Sequence, residues 1–226
     1  MADLPFRLPS PLAGRLAAVI DPEGKLVRGL DALGPLAGRD VGLVDAPAGR
    51  LLDRLEAAGI HGRPLPLEEP LRLPADDASL DAVVTLWSGF RGVDAADLAE
   101  VDRVLRPGGR LLVVHDYGRD DVGALHSPDA PEIRVWSRRE GPFLQGGFKI
   151  RVLHCFWAFP SIEEARAFLV EAFGDRGEAV ASTLRRPRLA WNVAVYHRWQ
   201  GGIEPGADDG ATLAGVGGAP RPSLTA

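Results

Sequence analysis

The sequence predicts an α/β fold, a three-layer sandwich with helices on both faces of a mostly parallel sheet. Three observations predict it. Apolar runs of strand length alternate along the chain with stretches of helical period. The helical stretches are closed by glycine or proline. The 226 residues, 46% of them hydrophobic, suffice for one core of this kind.

In chain order, residues 1–22 are proline-rich and weakly patterned, an N-terminal arm in which Leu16 to Ile20 are read as a short helix or strap. The domain proper is expected over residues 23–200. "GKLVRGLDALGPLAG" spaces Leu26, Val27, Leu30 and Leu33 as a helix that Gly34 and Pro35 end. "DVGLVDA" is a buried strand, and "GRLLDRLEAAG" is a helix closed by Gly59. "HGRPLPL" is extended, because Pro64 and Pro66 forbid a helix. "DAVVTLW" is a strand. "DAADLAEVDRVL" is a helix with Asp94 as its N-cap and "RPGG" as its stop. "GRLLVVHDY" is the next strand, followed by a loop-rich segment from Gly118 to Gly147. "FKIRVLHCFWAF" is a long strand. Ser161 opens the helix "SIEEARAFLVEAFG", and "LAWNVAVYHRW" is the last strand, with an antiparallel strand expected near this C-terminal edge. From Gly201 the chain is rich in Gly, Ala and Pro with few apolar anchors, which predicts a disordered tail over 201–226.

Composition narrows the function. The formal charge is −5 and no basic stripe dominates, so nucleic acid is not an expected partner. Only Lys25 and Lys149 are lysines, a bias read as coding composition, with carboxylate or phosphate binding the alternative. Cys155 is the lone cysteine, which fits a reducing compartment. The start lacks a basic segment leading into a long apolar run, and no run is long enough to span a bilayer. The expectation is a cytoplasmic protein with no membrane contact, a small-molecule ligand, and a homodimer left open.

One segment is more specific. "LPADDASLDAVVTLW" followed by "LAEVDRVLRPGGRLLVVHDYG" resembles the class I S-adenosylmethionine-dependent methyltransferases of the type 11 kind. The resemblance covers about Leu26 to Tyr117 and, more loosely, the chain to Trp199. It implies a Rossmann-like methyltransferase sheet, a transferase activity, and S-adenosylmethionine as cofactor if the protein is active.

The same resemblance exposes departures. In that family the first strand ends in a Gly-x-Gly-x-Gly turn that lets the backbone approach the cofactor. Here Asp45 and Pro47 take the first two glycine positions, and only Gly49 matches. Leu43 stands where the family carries the acid that holds the cofactor's amino group. Between Gly59 and Leu73 there is room for one strand instead of two strands and a helix, so about one strand-helix unit is missing. The surviving strand is expected to pair with the first and form the sheet edge, where prolines are tolerated. The lost unit carries the family's ribose-binding acid; Glu68 or Glu69 is a replacement, or both are solvated loop residues, with Glu69 aligned to the adenine contact.

Ligands of open α/β sheets gather at the carboxyl ends of the strands. Asp45, Glu69, Trp87, Ser88, His115, Asp116 and Tyr117 are therefore expected to converge. Catalytic candidates are His115, Asp116 and Tyr117, with His115 a general base or a histidine satisfied by backbone bonds. Cofactor-binding candidates are Asp45, Gly49, Glu69, Asp77 and Trp87. In "VWSRREGPFLQGGF", Trp136, Arg138, Arg139 and Phe143 form a substrate lid or a partner surface, or the segment covers an apolar sheet face. Neither His154-Cys155 nor His115-Asp116 has zinc spacing, so no metal is expected. Ser88-Gly89 lacks the surroundings of a nucleophile elbow, and a dinucleotide oxidoreductase lacks its glycine signature. Two readings stand: a methyltransferase-like binding or regulatory module with a degenerate cofactor motif, or an active small-molecule methyltransferase with a rebuilt site.

Overall fold

The structure, a computed structural model, describes residues 4–44, 50–87, 89–127 and 132–202. Asp45, Pro47, Gly49 and Ser88, and the tail beyond Gly202, lie outside the described residues.

The strands are β1 (Val41–Val44), β2 (Gly62–Leu65), β3 (Leu80–Leu86), β4 (Leu105–Asp116), β5 (Lys149–Ala158) and β6 (Arg188–Trp199). They form one sheet in the order β2-β1-β3-β4-β6-β5. β2, β1, β3 and β4 pair in parallel, while β6 runs antiparallel to both β4 and β5. The fold is thus mixed α/β, with one reversed strand beside the C-terminal edge. β2 pairs directly with β1 and forms the opposite edge, the place its prolines require. Pro64 lies opposite Leu43, and Pro66 falls just past the strand end.

The helices are α1 (Ser10–Val19), α2 (Lys25–Asp31), α3 (Arg50–Ala57), α4 (Ala95–Val104), α5 (Glu132–Trp136), α6 (Pro142–Gln145), α7 (Ile162–Phe173) and α8 (Asp175–Thr183). Strand alternation divides the core. Leu112 and Val114 of β4 face the layer that holds Leu16 of α1, Leu26 of α2, Leu55 of α3, Phe168 of α7 and Val180 of α8. Leu111 and Val113 face the layer that holds Val101 of α4, Trp136 of α5 and Phe143 of α6. Of the N-terminal stretch, Leu4, Ala13, Leu16 and Ile20 are buried in the first layer, and Ile20 bridges to Trp157. The loop-rich segment contains α5, α6 and a 3-10 turn at Gly123–Leu125, and α8 follows α7 where the sequence offered no helical reading.

Local chemistry explains the boundaries. The Asp94 carboxylate accepts from the Ala96 and Asp97 amides at 2.8 and 3.2 Å and starts α4. α4 ends at Val104: Leu105 is already extended, and Pro107 keeps Arg106 before it from continuing the helix. Arg106 to Gly109 then bulge out of the β3–β4 register, with Gly108 at φ 79°. Ser161 caps α7 by accepting from the Glu164 amide at 3.1 Å.

α7 and α8 meet at Gly177. A Cβ there would lie 1.8 Å from the Leu169 carbonyl oxygen. Gly177→Ala must part the two helices, with an expected loss of about 3 kcal/mol. Urea denaturation checks this, and a loss of less than about 1 kcal/mol would show the contact to be pliable.

Candidate functional site

β3 and β4 end side by side, and three of the expected residues sit there. Asp116, the last residue of β4, is 3% exposed. Its Oδ1 accepts from the Trp191 indole N–H at 2.8 Å and from the Trp87 indole N–H at 3.3 Å. Its Oδ2 meets His126 Nε2 at 2.5 Å. The Trp87 and Trp191 rings stack at 5.7 Å. One buried carboxylate thus gathers two indoles and an imidazole.

His115 points to the other face, as strand neighbours do. It is 2% exposed, and its Nε2 lies 3.0 Å from the Phe90 carbonyl oxygen, which can only accept. Nε2 therefore carries the proton. Its ring packs on Trp136 at 4.4 Å and Phe143 at 6.0 Å. Burial pushes its pKa down to about 4, and the nearby Arg91 charge adds to this. A general base working near neutral pH needs solvent or substrate access and a free nitrogen facing it; this geometry is that of a histidine satisfied by backbone bonds.

The two neighbours share one task. Trp87 and Phe90, flanking the turn after β3, both have positive φ, 59° and 55°, rare for bulky residues. Asp116 holds Trp87 from one face, and His115 holds the Phe90 carbonyl from the other. Both are positioning residues for that turn.

The remaining candidates separate. Tyr117 is half-buried against the α4–α6 layer, with the Arg119 guanidinium 5.1 Å above its ring. Trp136 is 3% exposed and belongs to the core, whereas Arg138 and Arg139 are exposed. The segment covers a sheet face, and its indole is not an open stacking surface. Asp77 is not brought to the site: it precedes β3, at the amino end of the sheet, 2.7 Å from Arg103. Arg103 also donates to the Leu73 and Ala75 carbonyls and to Glu100, and its charge and hydrogen bonds hold the Glu100 carboxyl down at about 2. That staple ties the segment before β3 to α4, and it accounts physically for the motif that carries the resemblance. Leu43 is 1% exposed in the apolar core and supplies no acceptor.

Glu69 is exposed and lines a 490 Å³ cavity between the segment after β2 and the turn after β3. Leu67, Phe90, Arg91 and Asp97 also line it. Burial, Asp94 and Glu69 together raise the Asp97 pKa. A second cavity of 260 Å³ lies at the amino ends of the strands, beside Arg110 and Trp199. Among the described residues no group of three or more His, Cys, Asp or Glu could hold a metal. Burial and the Asp21 charge push the Cys155 thiol up to about 12, which leaves it unreactive. No helix among the described residues is long and apolar enough to cross a membrane.

His126 and Trp191 complete the Asp116 cluster, and the sequence does not mark either as a site residue. Trp191 reads as an ordinary core aromatic, and His126 lies in a loop without period.

No family model matches the chain, and no curated protein matches it. Among solved structures, it is similar to an S-adenosylmethionine-dependent methyltransferase from Thermotoga maritima at 15% identity, covering 84% of this chain and 92% of that one, with a TM-score of 0.43. It is similar to the YcgJ protein from Bacillus subtilis at 16% identity, covering 76% and 96%, with a TM-score of 0.40. A phosphoethanolamine N-methyltransferase 2 from Haemonchus contortus, in complex with phosphomonomethylethanolamine and S-adenosylhomocysteine, shares 13% identity over 77% of this chain and 52% of that one, with a TM-score of 0.42.

Proposed function

We propose that this chain is a methyltransferase-like binding or regulatory module that keeps the sandwich and does not transfer a methyl group. The observation that carries this reading is the commitment of His115 and Asp116, the two groups best placed for acid-base work, to holding the turn after β3. A histidine buried against Trp136 and Phe143, and an acid spent on two indoles and an imidazole, are not free to deprotonate an acceptor. The described residues also fit the methyl donor poorly. Leu43 offers it no charge, and Asp77 lies at the far end of the sheet.

Titration calorimetry with S-adenosylmethionine and S-adenosylhomocysteine tests this. The expected result is no binding of either compound. Micromolar binding of the purified chain overturns it.

One observation favours the second reading, an active small-molecule methyltransferase with a rebuilt cofactor site. The 490 Å³ cavity lies at the carboxyl ends of β2 and β3, with Glu69 on its wall where a nucleoside hydroxyl would need an acceptor. On that reading Glu69→Ala abolishes donor binding. On the first there is none to abolish.

A further inference from the structure

The N-terminal segment before α1 places one ring where the sheet ends. Phe6 stacks on His126 with centroids 4.3 Å apart and planes at 22°. It meets Trp157 edge to face at 5.9 Å and Phe173 at 4.9 Å. His126 comes from the segment after β4, Trp157 from the carboxyl end of β5, and Phe173 from the end of α7. Together they make a three-sided aromatic slot at the ligand-binding end of the sheet.

The walls and the occupant are held differently. His126 is tied to Asp116, and Trp157 is fully buried with its ring 6.4 Å from Trp191. Phe6 is half-buried and lies in a stretch without helix or strand. Among the described residues, the backbone hydrogen bonds of this segment begin at Ala13 N to Pro9 O, inside α1. The Phe6 ring is placed by packing alone. One wall also has an unmet need: the Trp157 Nε1 is buried and has no hydrogen-bond partner among the described residues. A buried donor left unpaired is unfavourable, and a phenyl ring has no lone pair to offer it.

We propose that this slot is a binding site for a planar aryl group that carries a neutral hydrogen-bond acceptor, with Phe6 as its displaceable internal occupant. The proposal rests on the reading of this chain as a binding module and names its ligand class. The aryl ring replaces Phe6 between His126 and Phe173, and the acceptor pairs with Trp157. Affinity is then reduced by the fraction of molecules in which Phe6 fills the slot.

The test titrates benzamide, and cyclohexanecarboxamide as a control without an aromatic ring, into the full chain by calorimetry. Phe6→Ala is expected to bind benzamide about tenfold more tightly than the unaltered protein, by removing the competing state. The control gains less, and adding Trp157→Phe to Phe6→Ala cancels most of the benzamide gain. Equal benzamide affinity with and without Phe6, or equal gains for both probes, overturns the proposal. If Phe6→Ala does not fold, Phe6→Leu keeps apolar volume without the stacked ring. A benzamide gain in that variant supports the site, and its absence overturns it. S-adenosylmethionine titrated into the same samples decides the preceding reading separately, since the benzamide comparison does not depend on the donor.

Discussion

Asp116→Ala is expected to cost about 3–5 kcal/mol of stability, from two buried indole donors left unpaired at about 1–3 kcal/mol each and the gap left behind. The size follows from what is left behind. The side chain is 3% exposed and accepts from Trp87 and Trp191 while contacting His126. Its removal leaves two buried indole donors unpaired, frees the half-buried imidazole, and opens a gap beside the stacked Trp87 and Trp191 rings. Asp116→Asn keeps the shape and one carbonyl acceptor, so it loses less. Urea midpoints rank the three proteins, and indole fluorescence follows Trp87 and Trp191 as the cluster loosens. A loss of less than about 1 kcal/mol for the alanine variant would show that the carboxylate organises nothing, and the positioning role with it would fall.

That cluster marks where sequence reasoning stops. β1, β3, β4 and α4 are legible because their apolar periods are long and their ends carry Asp94 and the proline–glycine turn. The edge position of β2 is legible because Pro64 can be tolerated in few other places. α8 is not, since "DRGEAVAST" is mostly polar with a glycine in its middle, and it is helical because Gly177 lets it lie against Leu169. α5 and α6, five and four residues long, are too short for any period to show. The site divides in the same way. Fold logic brings Trp87, His115 and Asp116 to the strand ends, but not the direction of their bonds. The pairing of Asp116 with His126 crosses an irregular loop and leaves no trace in spacing. The pairing of Asp77 with Arg103, 26 residues later, likewise leaves no trace in spacing.

His115→Gln is expected to flatten the stability profile of the protein in mild acid. The folded chain holds His115 at about 4 against an ordinary 6.5, mainly because burial penalises the charged ring. The unfolded chain therefore takes up this proton first. The stabilisation is fully present above pH 6.5 and drains away as pH falls through the folded value, a loss of about 3 kcal/mol over that window. Glutamine can still donate to the Phe90 carbonyl but has nothing to titrate, so that part of the acid slope disappears. Glu100, held at about 2 by Arg103 against an ordinary 4.5, keeps a second slope at lower pH in both proteins. Urea midpoints at successive pH values separate the two groups. Identical slopes between pH 6.5 and 4 in the unaltered and variant proteins would mean that His115 is charged or accessible in the fold. His115 would then be available for acid-base work.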